Sequence, residues 1–212
     1  ILNEVVLKIL EILMIIAPFG IFCLIAKTFA TLGLDMIFEL GKYFLSVILI
    51  LLFHMFFVYG SIVRFYCKMS PFIFFKSIKE AMFFAFSTSS SSATVPITLR
   101  NVKKNLKVKD NIASFTVPLG STINMDGTAI MQGVATVFIA NFYGHNLTLT
   151  DFSTIILTAT LASVGTAGVP GVGLIMLGMV LNQVGLPLEG IAIVMGVDRF
   201  LDMMRTATNV SG

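Results

Sequence analysis

Four polar residues near the end of this 212-residue chain, Asp198, Asp202, Arg205 and Asn209, are spaced four, three and four apart. That spacing places them on one face of a helix, with Thr206 on the same side. They lie within an otherwise apolar segment, Leu186 to Gly212. An ionised group at a bilayer centre costs about 2.5 to 3.5 kcal/mol on insertion scales, so three in eight residues must pair with one another or line a polar site. A structural ion pair does not account for all of them, because one guanidinium cannot neutralise two carboxylates. The face predicts a polar site lined by charges of both signs.

A second cluster surrounds Asp126, in the run Asn124-Met125-Asp126-Gly127-Thr128, preceded by Pro118, Gly120 and Thr122. Proline and glycine interrupt a helix there, and the carbonyls of Gly120, Thr122 and Asn124 are expected to lose helical partners. Oxygen-only ligands of this kind suit a hard, desolvated alkali cation. A kink satisfied by neighbouring side chains is the plainer alternative, which Asp126 disfavours. His54, mid-span with Tyr59 nearby, is read as a packed, hydrogen-bonded histidine in preference to a proton relay. His145 is placed in a loop, and Asn146-Leu147-Thr148 fits a glycosylation sequon. Cys23 and Cys67 have neither disulfide nor zinc spacing.

The elements that position these residues follow from composition. Hydrophobic residues make up 57% of the chain against 14 Lys+Arg and 11 Asp+Glu, and the mean hydropathy is +0.96, which excludes an ordinary soluble domain. A net charge of +3 gives no reason to expect a nucleic-acid partner, and the basic run from Arg100 to Lys109 is read as a cytoplasmic loop. Ordinary spans are predicted at Val5–Phe29 and Tyr43–Phe65, with Tyr43, Tyr66 and Tyr143 at span ends. Nine basic residues flank Glu80–Leu99 on both sides, so that segment enters and leaves on the cytoplasmic side as a re-entrant hairpin, broken between Ser87 and Pro96. Phe152 to about Val184 is too long for one span and is cut by Gly165, Gly168, Pro170, Gly171 and Gly173. Its flanks at 143–151 and 185–190 lack Lys and Arg, so it dips in from outside. With the broken span Asn111–Asn141 between the hairpins and the last span after them, the order is hairpin, span, hairpin, span with opposite entry sides. Such an inverted repeat predicts a secondary transporter. The chain is expected to be part of a longer protein.

Four motifs carry a family resemblance: Ser89-Ser90-Ser91-Ser92-Ala93-Thr94-Val95-Pro96, Asn124-Met125-Asp126-Gly127-Thr128, Gly165-Thr166-Ala167-Gly168-Val169-Pro170-Gly171 and Asp202-Met203-Met204-Arg205-Thr206. In this order they resemble the sodium-coupled glutamate/aspartate transporters, the dicarboxylate/amino acid:cation symporter family, over roughly the second half of a typical member. The resemblance implies an all-α membrane protein of inverted-repeat elevator type, with two re-entrant helical hairpins and broken transmembrane helices. It implies a homotrimer in the plasma or inner membrane. Residues 1–40 would be a scaffold helix and loop. Residues 41–212 would be the transport domain: span 41–69, cytoplasmic-side hairpin 70–105, broken span 110–142, outer-side hairpin 150–185 and final span 186–212.

By motif position, substrate would meet Ser91, Thr128, the backbone at Val169 and Gly173, Asp202, Arg205, Thr206 and Asn209. Arg205 would clamp the side-chain carboxylate, Asp202 the amino group, and Asn209 with the first hairpin tip the main-chain carboxylate. Sodium, the implied coupling ion, would sit on Gly120, Asn124 and Asn209 carbonyls, on Thr122, Ser163, Val164 and Thr166, and near Asp126. The family also takes sodium ligands from an earlier span and from just beyond the position of Gly212. Many relatives carry a further arginine in the first hairpin or directly after the last-span aspartate; here those positions are Ser89 and Met203, and Arg199 is a candidate substitute.

The function expected is sodium-driven import of acidic amino acids, without enzymatic activity. A neutral amino acid or a C4-dicarboxylate is the alternative substrate, and protons the alternative driving ion. An ion channel is disfavoured, since mixed charges at one depth suit a bound zwitterion better than a permeation file. An intramembrane serine hydrolase using His54 is disfavoured because no Gly-x-Ser-x-Gly elbow surrounds the serines.

Overall fold

A computed structural model of the protein describes residues 35–212 without a break and, before them, only scattered helical positions. The Val5–Phe29 span therefore lies mostly outside the described residues. Among those residues every regular element is helical. In chain order they are α1 Asp35–Phe53, a π-helical turn His54–Tyr59, α2 Gly60–Phe65, α3 Pro71–Thr88, α4 Ser91–Lys104, α5 Asp110–Ile123, α6 Asp126–Phe142, α7 Leu149–Val164, α8 Val172–Gln183 and α9 Gly190–Ser211.

Helix α1, the π turn and α2 run on as one apolar stretch, Ile37–Phe65, 29 residues long, enough to cross a bilayer. Because it begins before Tyr43, that residue is not the interfacial ring expected of it. Tyr43 is buried and stacks on Phe138 with ring centroids 5.0 Å apart. Tyr66 and Tyr143 are exposed.

The helix breaks are shorter than the proline and glycine content predicts. Between α3 and α4 only Ser89 and Ser90 leave the helix; Ser89 adopts φ +51° and Ser90 is extended, its hydroxyl capping α4 through the Ala93 N–H. Ser91, Ser92 and Pro96 all lie inside α4. One proline removes one backbone bond, which a helix packed on its neighbours absorbs. Between α5 and α6 only Asn124 and Met125 are non-helical, so Pro118 and Gly120 belong to α5. The Ser121 and Thr122 hydroxyls turn back onto the Pro118 and Leu119 carbonyls at 2.7 and 2.9 Å in the last turn of α5.

The core lies where α1, α6, α8 and α9 meet. Val47 and Leu51 from α1, Met131 and Ile139 from α6, Leu177 and Leu181 from α8, and Val194 and Leu201 from α9 are fully buried. Ala135, Ala159, Ala81 and Ala85 are buried at helix crossings, where small side chains let backbones approach. The exterior is the reverse: Phe53, Phe57, Phe65, Phe72 and Phe83 are all more than half exposed. An apolar exterior this extensive suits lipid and not water.

Candidate functional site

Helix α9 supplies the charged wall. Asp198, Asp202, Arg205, Thr206 and Asn209 are all buried, as the 4-3-4 spacing predicts. Arg205 Nη2 donates to Asp202 Oδ1 at 2.6 Å, and Nη1 to Asp198 Oδ1 at 3.4 Å. The guanidinium thus lies between two carboxylates of its own helix. The other Asp202 oxygen accepts the Gly171 N–H at 3.0 Å, which joins the charged wall to the second hairpin. Thr206 donates its hydroxyl to the Asp202 carbonyl at 2.8 Å.

Asn209 organises the opposite end. Its Oδ1 accepts the Gly127 N–H at 2.8 Å, an orphan donor in the first turn of α6. Its Nδ2 donates to the Thr128 hydroxyl at 3.2 Å, and its carbonyl accepts from Asn124 Nδ2 at 2.9 Å. The break in α6 is thereby stitched to α9 through three residues of the Asn124–Thr128 motif.

The two hairpin tips close over this wall. Ser90 donates its hydroxyl to the Gly168 carbonyl at 2.7 Å, and the Ser92 N–H reaches the same oxygen at 3.2 Å. A Cβ on Gly168 would come within 2.8 Å of Ser92 Oγ and 3.0 Å of its nitrogen, so only glycine allows this approach. Gly173 has the same role against the arginine, since a Cβ there would lie 2.9 Å from Arg205 Nη2.

Ser91, Thr128, Val169, Gly173, Asp202, Arg205, Thr206 and Asn209 come together around one cavity of about 20 Å³. Holding one water takes roughly 10 to 15 Å³ by the same kind of measure, so the closed cavity has no room for an amino acid.

The residues expected to hold sodium do not form one cage. Gly120, Asn124 and Asn209 border a separate cavity of about 280 Å³ between α4, α5 and α9. The Gly120 carbonyl is not free of helical partners as expected; it accepts the Asn124 N–H at 2.8 Å, because the helix persists to Ile123. Thr122 is exposed and its hydroxyl is taken by Leu119. Ser163 and Thr166 are buried at the end of α7, with Thr166 donating to the Ala162 carbonyl at 2.8 Å, while Val164 is exposed. Thr166 also borders the small cavity. Among the described residues no group of three acidic, histidine or cysteine side chains is arranged to hold a metal, so a cation here would rely on carbonyl, hydroxyl and amide oxygens with at most a single carboxylate such as Asp126.

Asp126 has partners that sequence reading does not assign. Tyr59 donates its hydroxyl to Asp126 Oδ2 at 2.8 Å, and His54 Nε2 lies 3.1 Å from the same oxygen. Asn124 Nδ2 reaches the Tyr59 oxygen at 3.2 Å. His54 and Tyr59 are five residues apart, which in an α-helix would splay them by about 140°. The π turn spanning both brings the rings edge to face, with centroids 4.7 Å apart, onto one carboxylate. π-bulges recur at functional sites, yet nothing in the run His54-Met55-Phe56-Phe57-Val58-Tyr59 marks one. Gln132 is the other residue missed: it is fully buried behind the site, its Nε2 3.5 Å from the Gly173 carbonyl.

The described residues are helical throughout, with a bilayer-length apolar stretch and a closed, charged site where two helical hairpins meet, which is the build of a membrane protein. The chain belongs to the sodium:dicarboxylate symporter family, whose model matches residues 1–212. It is 42% identical over 214 residues to human excitatory amino acid transporter 2, covering all of this chain and 37% of that one. It is 43% identical to excitatory amino acid transporter 4 of Rattus norvegicus and 41% identical to excitatory amino acid transporter 1 of Ambystoma tigrinum. Each match covers the whole chain, with 38% and 39% of the respective relative. The chain therefore spans about two fifths of the length of these curated relatives, and it is part of a membrane protein.

Proposed function

We propose that this chain is the substrate-carrying portion of a sodium-driven importer of acidic amino acids. The observation that carries the reading is Arg205, a buried guanidinium facing a cavity that also holds Asp202 and the two hairpin tips. The guanidinium would bind the substrate's side-chain carboxylate, Asp202 its ammonium group, and Asn209 with Ser91 its main-chain carboxylate. Thr128, Thr206 and the backbone at Val169 and Gly173 would complete the pocket. Since the closed cavity is too small for this ligand, a tip must withdraw to admit it, and the Ser90–Gly168 contact is where the tips part. Sodium would occupy oxygen sites at Gly120, Thr122, Asn124, Asp126 and Asn209, and at Ser163, Val164 and Thr166 beside the second tip. The names of the relatives support the substrate class, and the family description supports the ion.

In this reading the helical pairs α3–α4 and α7–α8 are re-entrant hairpins entering from opposite sides. Residues 41–212 move as an elevator against a scaffold that includes residues 1–40, within a homotrimer of the plasma or inner membrane. Energetics require more than one cation. Importing one net negative charge against a negative interior costs about 2.3 kcal/mol per 100 mV, and each sodium ion returns about as much, so at least two are needed for the potential to drive uptake. No enzymatic step is proposed.

The test is uptake of labelled aspartate by the full-length protein in vesicles, with and without an inward sodium gradient. Gradient-dependent accumulation competed by glutamate supports the reading. Equal uptake under a proton gradient alone, or competition only by neutral amino acids, overturns it.

A further inference from the structure

Arg199 is a cation on the last span that the binding site does not use. Its guanidinium is partly buried, and among the described residues it makes one hydrogen bond, from Nη1 to the Ser89 hydroxyl at 3.1 Å, 110 residues away in sequence. No carboxylate lies within 4 Å of it among those residues, since neighbouring Asp198 is engaged by Arg205. An ionised side chain in a membrane span is costly and is retained where it acts. Here it is spent on a neutral hydroxyl.

The hydroxyl belongs to an unusual residue. Among the described residues three non-glycine residues have positive φ, and two of them, Lys68 and Lys107, are exposed in loops. Ser89 is buried and forms the turn of the first hairpin tip, with φ +51° and ψ +31°. The left-handed region disfavours any residue with a Cβ, so an untethered serine there would lose population by roughly five- to thirty-fold. The next residue, Ser90, both caps α4 and makes the contact to Gly168 that joins the tips. Whatever holds Ser89 therefore sets the direction of the tip contact. Phe200, beside Arg199, packs edge-on to Phe86 of α3 with centroids 5.8 Å apart, which fixes α9 against the arm leading into the turn.

We propose that Arg199 is a positioning residue: by tethering the left-handed Ser89 to α9, it holds the first hairpin tip in the conformation that meets the second. Arg199 itself does not border the cavity, although Ser89 does, and it acts through Ser89 and Ser90. The consequence for transport, a raised KM with kcat little changed, rests on the proposed function; the tether itself does not.

Hydrogen exchange on the full-length protein tests it without requiring transport. The reporter is the peptide spanning residues 87–97, whose Ser92, Ala93 and Thr94 amides are bonded at the tip. Arg199→Gln and Ser89→Ala should each speed exchange of these amides by about five- to thirty-fold, and the double variant should go no further. Ser89→Gly, for which the left-handed turn is unstrained, should restore protection in the Arg199→Gln background. If Arg199→Gln fails to fold, Ser89→Ala, which keeps the charge, carries the test alone. Wild-type exchange in Ser89→Ala, additive effects in the double variant, or no relief by Ser89→Gly would overturn the tether. A folded protein that shows this exchange pattern but no sodium-driven uptake would leave the tether standing and remove the transport reading.

Discussion

Arg205 is held by two carboxylates and faces a cavity, so its removal has two separable effects. Arg205→Cys leaves Asp198 and Asp202 buried without their cation, and breaking a buried pair in this way costs about 3 to 5 kcal/mol. The variant is expected to melt at lower temperature and to lose binding of acidic amino acids while keeping some for neutral ones, because Asp202 and Asn209 remain. Adding Asp198→Asn should recover much of the stability and none of the acid binding, read by thermal melts and isothermal titration. Undiminished aspartate affinity in Arg205→Cys would make the arginine purely structural. At Asp126, substitution by Asn keeps an oxygen for the Tyr59 hydroxyl and removes the charge. Apparent substrate affinity is expected to fall at low sodium and recover at high sodium, because mass action refills a weakened cation site. Affinity that stays low throughout a sodium titration would assign Asp126 to folding or to the substrate.

At the scale of elements, the second hairpin begins with a reciprocal cap. The Thr148 N–H and hydroxyl donate to Asp151 Oδ2 at 2.7 and 2.8 Å, and the Thr148 hydroxyl accepts the Asp151 N–H at 3.3 Å. The Thr148 N–H, then its hydroxyl, hold the Asp151 carboxyl below the ordinary carboxylate range. A group whose pKa is lower in the folded state stabilises the fold fully above its unfolded pKa, about 3.9, and loses that contribution as pH falls through the lowered value. The melting temperature of Asp151→Asn should therefore lie below wild type at neutral pH, with the gap closing as pH falls below the ordinary carboxylate range. A gap that persists in acid would show that the cap does not depend on the charge. The same cap bears on the sequon at Asn146, whose Thr148 hydroxyl is engaged by Asp151.

For the whole molecule, the proposal with deepest consequences is the opposite entry of the two hairpins. It rests on loop charge: five basic residues between Arg100 and Lys109, and none between residues 143 and 151. Cys23 and Cys67 are free and exposed and would be replaced before labelling. In a full-length protein without other reactive cysteines, one placed at Lys104 should react only with impermeant reagents on the cytoplasmic face, and one at Asn146 only from outside. Labelling of both from one side would end the inverted-repeat reading and the alternating access built on it.

The sequence alone determined which residues share a helix face and which segments are interrupted. The 4-3-4 spacing from Asp198 to Asn209 is a local consequence of helical geometry, and those residues are buried together. Hydropathy and the proline and glycine positions located both interrupted segments, each of which forms a pair of helices, because these are signals carried along the chain one segment at a time. Tertiary structure decided what pairs with what. Asp126 meets His54 and Tyr59 across 72 and 67 residues, through a π turn whose extra residue no local signal announces. Proline and glycine overstated the breaks, since each proline removes only one backbone bond and packing against neighbouring helices lets α4 and α5 run through Pro96 and Pro118. The Arg199–Ser89 bond and the meeting of Ser90 with Gly168 join residues 110 and 78 apart. Such contacts depend on how helices cross, which is set by side-chain shape over the whole packed interior and not by any window of sequence.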